Sequence, residues 1–492
     1  MQTQSRTTSA TTCWRDTQTS LAATIGLSDA PDLDTGTSPA AAIEEWRSSR
    51  NADDFPYDAV VADFHRAGKH FVAAELLAAL SGVRAALPEV RGSGASVRLL
   101  DQFLDAALDK LDGRYANPTY LALSLLPLAD VDDPAGDLAS AQRQYDRLFV
   151  QLLADAARFE IAAAEGTTVL LPQMRPDART IAKRCRLVLQ LVGPAARRLK
   201  LGDMLDIADP LAGARQLWSH VHADLTPAER RTLRLTMLPV SVVHDEYQFI
   251  RILQSFEATF AFVAVQLQAA VRALTGGDAG LARRGLVSAE SALHEASPLF
   301  SLVATMQLEA FQTFRVFTEG ASAIQSRNYK LVESLCRQPE SSRLDSAAYH
   351  AVPEVRQRVL AGQLTLDDAF TAARRQDHLS ARDLDDLEQA LRQFAATLLK
   401  WRRTHHKIAV RMLGESAGTG YTAGAAYLKS VQEIPVFPSL PMAVGDREAG
   451  TRDIERESED AGEQTIDVPG ARGRCPFAGG AMSLTSTVVI GQ

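Results

Sequence analysis

Large apolar residues recur along most of this chain at steps of three and four, the period of an amphipathic helix. The longest such run reads Leu384, Leu387, Leu391, Phe394, Leu398, Trp401, His405, Ile408 and Met412. It predicts one buried helix face that ends at Gly414, followed by a glycine-rich loop from Gly418 to Gly424. Such a loop can bring backbone N–H groups close to a ligand. Between Asp58 and Asp112 the same spacing appears in Val61, Phe64, Phe71, Leu76, Leu77 and Leu80, then in Leu99, Leu100, Phe103, Leu104, Leu108 and Leu111. Residues 139–165 and 177–222 also read as helices. Another helix starts at Thr226-Pro-Ala-Glu229, where the threonine can cap and Glu229 can reach back to the cap N–H. Alternating apolar and polar runs are almost absent, and Thr167–Leu171 reads either as a short strand or as a packed loop. The pattern predicts an all-α protein with little or no sheet.

Composition sets the ends. Residues 1–55 are rich in Thr, Ser, Ala and Asp, with few large apolar side chains. They bury too little surface to offset chain entropy, so disorder is expected there. From about Ala443 the chain turns acidic and then glycine-rich, and disorder is expected again. The expected organisation is a disordered segment 1–55, an N-terminal helical region 56–225, a second helical domain 226–440 and a tail 441–492. The net charge of −8 comes largely from Asp446 to Asp467, and no basic block argues for nucleic acid. Cys13, Cys185, Cys336 and Cys475 lie far apart and suggest neither a zinc ribbon nor a disulfide framework. The best membrane candidate, Phe256–Leu274, is interrupted by Glu257, Gln266, Gln268 and Arg272. The expectation is a cytoplasmic protein without a membrane span or signal peptide.

Few residues carry chemistry on their own. His405 lies on a core-facing stripe one turn from Trp401 and Ile408, where a lone histidine is by default a hydrogen-bonded core residue. Phe311 and Arg315 project from one helix face, an aromatic wall beside a guanidinium that can grip a carboxylate bidentately. Val240, His244, Tyr247 and Arg251 share a face further upstream. His405 and His406 are about 100° apart on a helix and cannot both face one metal. His65 and His70 are likewise a poor metal pair. The Gly418–Ala423 stretch follows a helix rather than a strand, which excludes a dinucleotide loop.

Taken together, several stretches resemble the tryptophan 2,3-dioxygenase family. Lys400-Trp-Arg-Arg-Thr-His405, Arg411-Met-Leu-Gly414, Ala417-Gly-Thr-Gly420 and Tyr427-Leu428 are similar to its closing segment. Phe311-Gln-Thr-Phe-Arg315 and the residues Ala321, Ser322, Gln325 and Ser326 match its substrate loop, while Ala323 and Ile324 depart from it. His244-Asp-Glu-Tyr247 resembles the segment that carries the family's distal histidine, with Val240 where a phenylalanine is usual. Tyr120-Leu-Ala-Leu123 resembles the stretch that opens the family's catalytic part.

The resemblance implies a helical-bundle haem domain of the tryptophan/indoleamine dioxygenase type with an extra N-terminal helical region. It implies haem b with His405 as the axial iron ligand, Trp401 and Gly418 beside the haem, and O₂ as co-substrate. Arg315 would hold the substrate carboxylate, Thr419 the ammonium group and His244 the ring N–H, with Phe311, Ser322 and Tyr120 lining the site. The implied reaction inserts O₂ across the indole C2–C3 bond of L-tryptophan to give N-formylkynurenine. The implied assembly is a homotetramer in which the Tyr120 segment reaches a neighbour's site. Two other readings stay open. One is a related haem enzyme that inserts a single oxygen atom into another indole or aromatic amino acid, which Val240 and Ala323-Ile324 keep in play. The other is a haem sensor or carrier without turnover.

Overall fold

The computed structural model describes residues 38–440, apart from 133–136, 202–207, 376–378, 415–417 and 419–423. In chain order the helices are α1 (Pro39–Ser49), α2 (Tyr57–Ala67), α3 (Ala74–Ala85), α4 (Gly94–Ala107), α5 (Asn117–Tyr120), α6 (Leu138–Glu165) and α7 (Ala178–Arg198). Next come α8 (Pro210–Asp224), α9 (Pro227–Leu235), α10 (His244–Thr275), α11 (Ala279–Ala296), α12 (Leu299–Val303), α13 (Leu308–Thr318) and α14 (Arg327–Cys336). The series closes with α15 (Ser341–Leu344), α16 (Ala347–His350), α17 (Pro353–Leu360), α18 (Leu366–Arg375), α19 (Ala381–Leu413) and α20 (Ala425–Gln432). The fold is all-α, as the periodicity predicts. Among the described residues there is no strand, only two isolated bridges, Asn51–Arg91 and Gln173–Val243. Thr167–Leu171 is a packed loop with Leu171 fully buried.

α10 is the axis of the molecule. It packs against α6, α11, α14 and α18, and α11 in turn packs against α19. Buried residues occur all around α10, as a helix enclosed on every side requires. Its length and hydropathy would suit a membrane span, but most of its apolar window is buried inside the protein. The main core joins Phe149 and Leu152 of α6, Leu189 of α7, Trp218 of α8, Phe262 of α10, Leu293 of α11 and Phe394 of α19. Helices α6–α8, from the region before 226, therefore share one core with α10 and α19.

α1–α4 build a second core around Val60, Phe64, Leu80 and Phe103, which Leu235 and Leu238 join from the end of α9. Order begins earlier than composition suggests. α1 lies inside the stretch expected to be disordered, capped by Ser38, with Ile43 and Trp46 buried. Two well-placed anchors and a cap suffice to dock it. The capping box at Thr226 is present: Glu229 N donates to Thr226 Oγ1 at 3.2 Å, and Thr226 N donates to Glu229 Oε2 at 2.8 Å. α19 stops at Leu413, and Gly414 takes a positive φ of 57° that favours glycine.

A buried polar cluster ties α6 to α10. Asp155 accepts from Tyr247 Oη (2.8 Å) and Arg251 Nε (2.7 Å). Arg251 also donates to Thr236 Oγ1 (3.0 Å) and to the carbonyl oxygen of Leu233 (2.6 Å), which pins the end of α9. Burial opposes the Asp155 charge, yet Arg251 and Arg158 outweigh it and hold the carboxyl below the usual range. Every member has a partner, which is what a charged cluster in a protein interior requires.

Candidate functional site

The stripe on α19 has two parts. Leu387, Leu391, Phe394 and Leu398 enter the main core. The continuation, Trp401, His405, Ile408 and Met412, lines a cavity of about 260 Å³. The opposite walls come from α10 (Phe249, Leu253, Phe256, Glu257, Phe260) and from α13 (Phe311, Phe314, Arg315, Thr318). The Ala321–Ser326 loop, Asn117 and Tyr120 of α5, Tyr329 and Lys330 of α14, and Tyr427 of α20 complete it.

His405 sits among aromatic rings, 5.1 Å from Trp401 and 6.0 Å from Phe300 between ring centroids. Burial, and to a lesser degree His406, push its imidazole down to about 4. It is therefore neutral at pH 7, the form in which a ring nitrogen can bind a metal. Trp401 packs edge-on against Phe256 and Phe260. Its indole Nε1 is buried and donates to no protein atom, so the site contains a donor that a bound group could satisfy.

Part of the lining is cationic. Glu333 pairs with Lys330 (2.8 Å) and Arg343 (2.7 Å). Burial opposes its charge, but these two cations hold the carboxyl well below the usual range. Arg402 adds a third cation, donating to Tyr329 Oη (2.9 Å) and the carbonyl of Ile434 (2.7 Å). Three cations against one carboxylate leave two positive charges in this wall. Elsewhere in the lining, Phe249, Phe311 and Phe314 form an aromatic trio with centroids 5.4–5.8 Å apart, and Arg315 follows Phe314 in the chain.

No protein-family model matches this chain. Individual relatives do. The tryptophan 2,3-dioxygenase of Ruegeria pomeroyi is 28% identical over 247 residues, 44% of this chain and 89% of the relative. That of Bradyrhizobium diazoefficiens is 26% identical over 235 residues, 41% of this chain and 84% of the relative. That of Anaeromyxobacter sp. is 26% identical over 239 residues, 41% of this chain and 87% of the relative. These matches support a relation to tryptophan 2,3-dioxygenases at the family level. The chain is an oxygenase of the tryptophan 2,3-dioxygenase type. The matches cover most of each relative and less than half of this chain, so this chain carries much sequence that its relatives do not align with.

The cavity brings together His405, Trp401, Phe311, Arg315, Ser322, Tyr120 and Gly418. Thr419 lies outside the described residues. The ring of Tyr120 lines the wall while its hydroxyl donates to Glu246 Oε1 at 3.3 Å, away from any ligand contact.

His244 lies apart from this group. It does not line the cavity. Its Nε2 meets Glu160 Oε2 at 3.1 Å, and its ring stacks on Phe159 at 4.7 Å. Arg184 bridges Glu160 and Asp245 at 2.8 Å each, so the histidine belongs to a sealed ionic cluster. The geometry of α10 explains this. His244 and the wall residue Phe249 are five positions apart, about 140° around a helix. Val240 packs with Tyr120, Phe159 and Ile250 in a small apolar cluster, so its size does not enlarge the cavity either.

The residues of α10 that do face the cavity are Phe249, Leu253, Phe256, Glu257 and Phe260. Burial pushes the Glu257 carboxyl up, against hydrogen bonds from Ser326 and from Asn328 Nδ2 (2.9 Å). The spacing Phe249, Leu253, Phe256, Phe260 is helical and was available in the sequence. Lys330 was legible only as a partner three residues before Glu333, and Arg343 had no local signal.

Proposed function

We propose that this chain is a haem-dependent oxygenase of an aromatic amino acid, with L-tryptophan the first candidate. The observation that carries the reading is the joint presence, in one aromatic-walled cavity, of a neutral His405 and of Arg315 beside Phe311 and Phe314.

The residues fit haem b. His405 supplies an unprotonated imidazole for the iron, and Trp401 Nε1 a donor without a protein acceptor. The two excess positive charges of the Lys330, Arg343, Arg402 and Glu333 wall match the two propionates of a haem. Bound there, haem supplies the reduction and activation of O₂ that no side chain can supply. The chain's own residues do the rest. Arg315 grips the substrate carboxylate, and Phe249, Phe311 and Phe314 clamp the ring and exclude water. Ser322 and Thr419 complete the amino-acid end. With L-tryptophan and two oxygen atoms across the indole C2–C3 bond, the product is N-formylkynurenine.

The position of His244 favours keeping a second reading. No histidine from α10 reaches the cavity to meet an indole N–H, and the wall there offers Leu253. Insertion of one oxygen atom into another indole or aromatic amino acid, with the second atom of O₂ leaving as water at the expense of two electrons from an external reductant, fits that wall as well. Product mass separates the two, since the gain is two oxygen atoms in one case and one in the other. The substrate class is tested by Arg315→Ala. Losing one partner of a desolvated ion pair costs about 2–5 kcal/mol, so kcat/KM for the amino acid falls at least about 30-fold at unchanged haem content. Indole, which has no carboxylate, is turned over equally by both proteins. An equal loss for both substrates, or none for either, refutes the assignment of Arg315.

A further inference from the structure

We propose that Glu257 is a positioning residue: through Ser326 and Asn328 it holds the Ala321–Ser326 loop against α10 and thereby sets the affinity of the cavity for the amino acid. Its effect on affinity rests on the proposed function; its hold on the loop does not.

Glu257 stands where an apolar residue would be cheaper. It is 4% exposed, on a wall that Leu253, Phe256 and Phe260 otherwise make apolar. Among the described residues of the lining it is the one carboxyl. Glu333, just behind the lining, has Lys330 and Arg343 to compensate its charge. Glu257 has no such cation: burial pushes its carboxyl up, and only the bonds from Ser326 and Asn328 act against that. Burying an uncompensated carboxyl costs stability that leucine at the same position would not. Groups kept at such a cost recur at functional sites.

The bonds of Glu257 all run to one short stretch. Asn328 Nδ2 donates to Glu257 Oε2 at 2.9 Å, and the Ser326 hydroxyl bonds the same carboxyl. Ser326 and Asn328 are themselves buried. Ser326 also caps α14, its Oγ accepting from Tyr329 N at 3.1 Å. Upstream the loop is closed on itself. Gln325 N donates to the carbonyl of Ser322 (2.9 Å), and Ser326 N to that of Ala323 (3.1 Å). A loop tied in this way moves as one piece. Anchoring Ser326 therefore fixes Ser322, Ala323 and Ile324, which line the cavity. Without the carboxyl, Asn328 Nδ2 and the Ser326 hydroxyl become buried donors that lack an acceptor, and opening the loop to water is what relieves them.

Glu257→Gln and Glu257→Leu are compared with the wild type as full-length, haem-loaded proteins. Glutamine copies the shape of the side chain, accepts from Asn328 and donates to Ser326; leucine makes neither bond. Amide hydrogen exchange over 321–328 reads the loop, calorimetric titration with L-tryptophan reads the affinity, and haem content with Tm reads the fold. Glu257→Leu is expected to speed exchange in 321–328 by at least about fivefold and to weaken tryptophan binding by a similar factor. Haem content and exchange in α19 stay as they are, and Glu257→Gln restores both the loop and the affinity. Unchanged exchange over 321–328 in Glu257→Leu overturns the proposal. So does faster exchange spread over the whole chain with loss of haem, which marks a merely structural role. Faster loop exchange at unchanged affinity overturns the effect on the amino acid. A wild type that binds haem but no aromatic amino acid refutes the proposed function and the effect on affinity with it, while the exchange data still decide the hold on the loop.

Discussion

Lys69→Met is expected to be among the costliest single substitutions in the N-terminal region. Lys69 is 1% exposed and Asp109 2%. The ammonium group supplies a hydrogen bond to Asp109 Oδ2 at 3.1 Å, while Asp109 Oδ1 has no partner even in the intact protein. Methionine fills similar space but leaves the carboxylate buried without a cation. Breaking a buried pair from one side costs about 3–5 kcal/mol. That raises the unfolded fraction of α4 and the following segment by roughly two to four powers of ten. Removing both charges, in Lys69→Met with Asp109→Asn, recovers most of the loss, because the penalty lies in the unpaired charge rather than in the missing contact. Hydrogen exchange of the amides in Gly94–Ala107 and 109–121 reads the local opening free energy directly, and urea unfolding gives the global value. A loss under about 1 kcal/mol in the single variant, or strictly additive effects in the double variant, refutes the argument.

Other expectations are open to direct measurement. His405→Ala loses haem or its histidine-ligated spectrum, whereas His406→Ala keeps both. An unchanged Soret band in His405→Ala, with circular dichroism showing an intact fold, contradicts the ligand assignment. Glu246 governs a pH effect, since burial pushes its carboxyl up to about 7 from an ordinary 4.5. The folded protein keeps that proton up to about pH 7 while the unfolded chain releases it near 4.5. The group's contribution to stability is therefore complete below pH 4.5 and falls by about 3 kcal/mol as pH rises to 7. Glu246→Gln lacks this slope, and parallel stability curves for the two proteins across that range would count against it. Trp46→Ala, which removes the main anchor of α1, costs about 3–5 kcal/mol in the N-terminal core; a value near zero would return α1 to the status of a loose appendage.

The α19 stripe was the most legible part of the chain. A helix with one buried face announces that face by its period, and His405 stood on it together with Trp401 and Met412. α10 was opaque for the opposite reason. It is buried all round, so no period separates the face that meets the cavity from the face that meets α6. The motif around His244 therefore says nothing of which side of the helix the histidine occupies, and Leu253 and Glu257 carry no local sign that they face the cavity. The ionic clusters were unreadable because Glu160, Arg184 and Asp245 come from three helices, and charged positions on a helix read as solvent-facing until their partners are seen. α1 escaped notice because two apolar residues in a polar stretch carry no period. The meeting of Lys330, Arg343 and Arg402 around Glu333 is likewise a tertiary event.

Trp401 has an optical consequence. The chain contains four tryptophans: Trp14, Trp46, Trp218 and Trp401. Trp401 forms part of the cavity wall, whereas Trp46 and Trp218 sit in the N-terminal core and on α8. A porphyrin absorbs where tryptophan emits, and energy transfer falls steeply with distance, so a pigment seated against His405 silences Trp401, whose ring lies 5.1 Å from the His405 ring. The cavity wall thus holds its own lamp, and loading can be followed by fluorescence without a label.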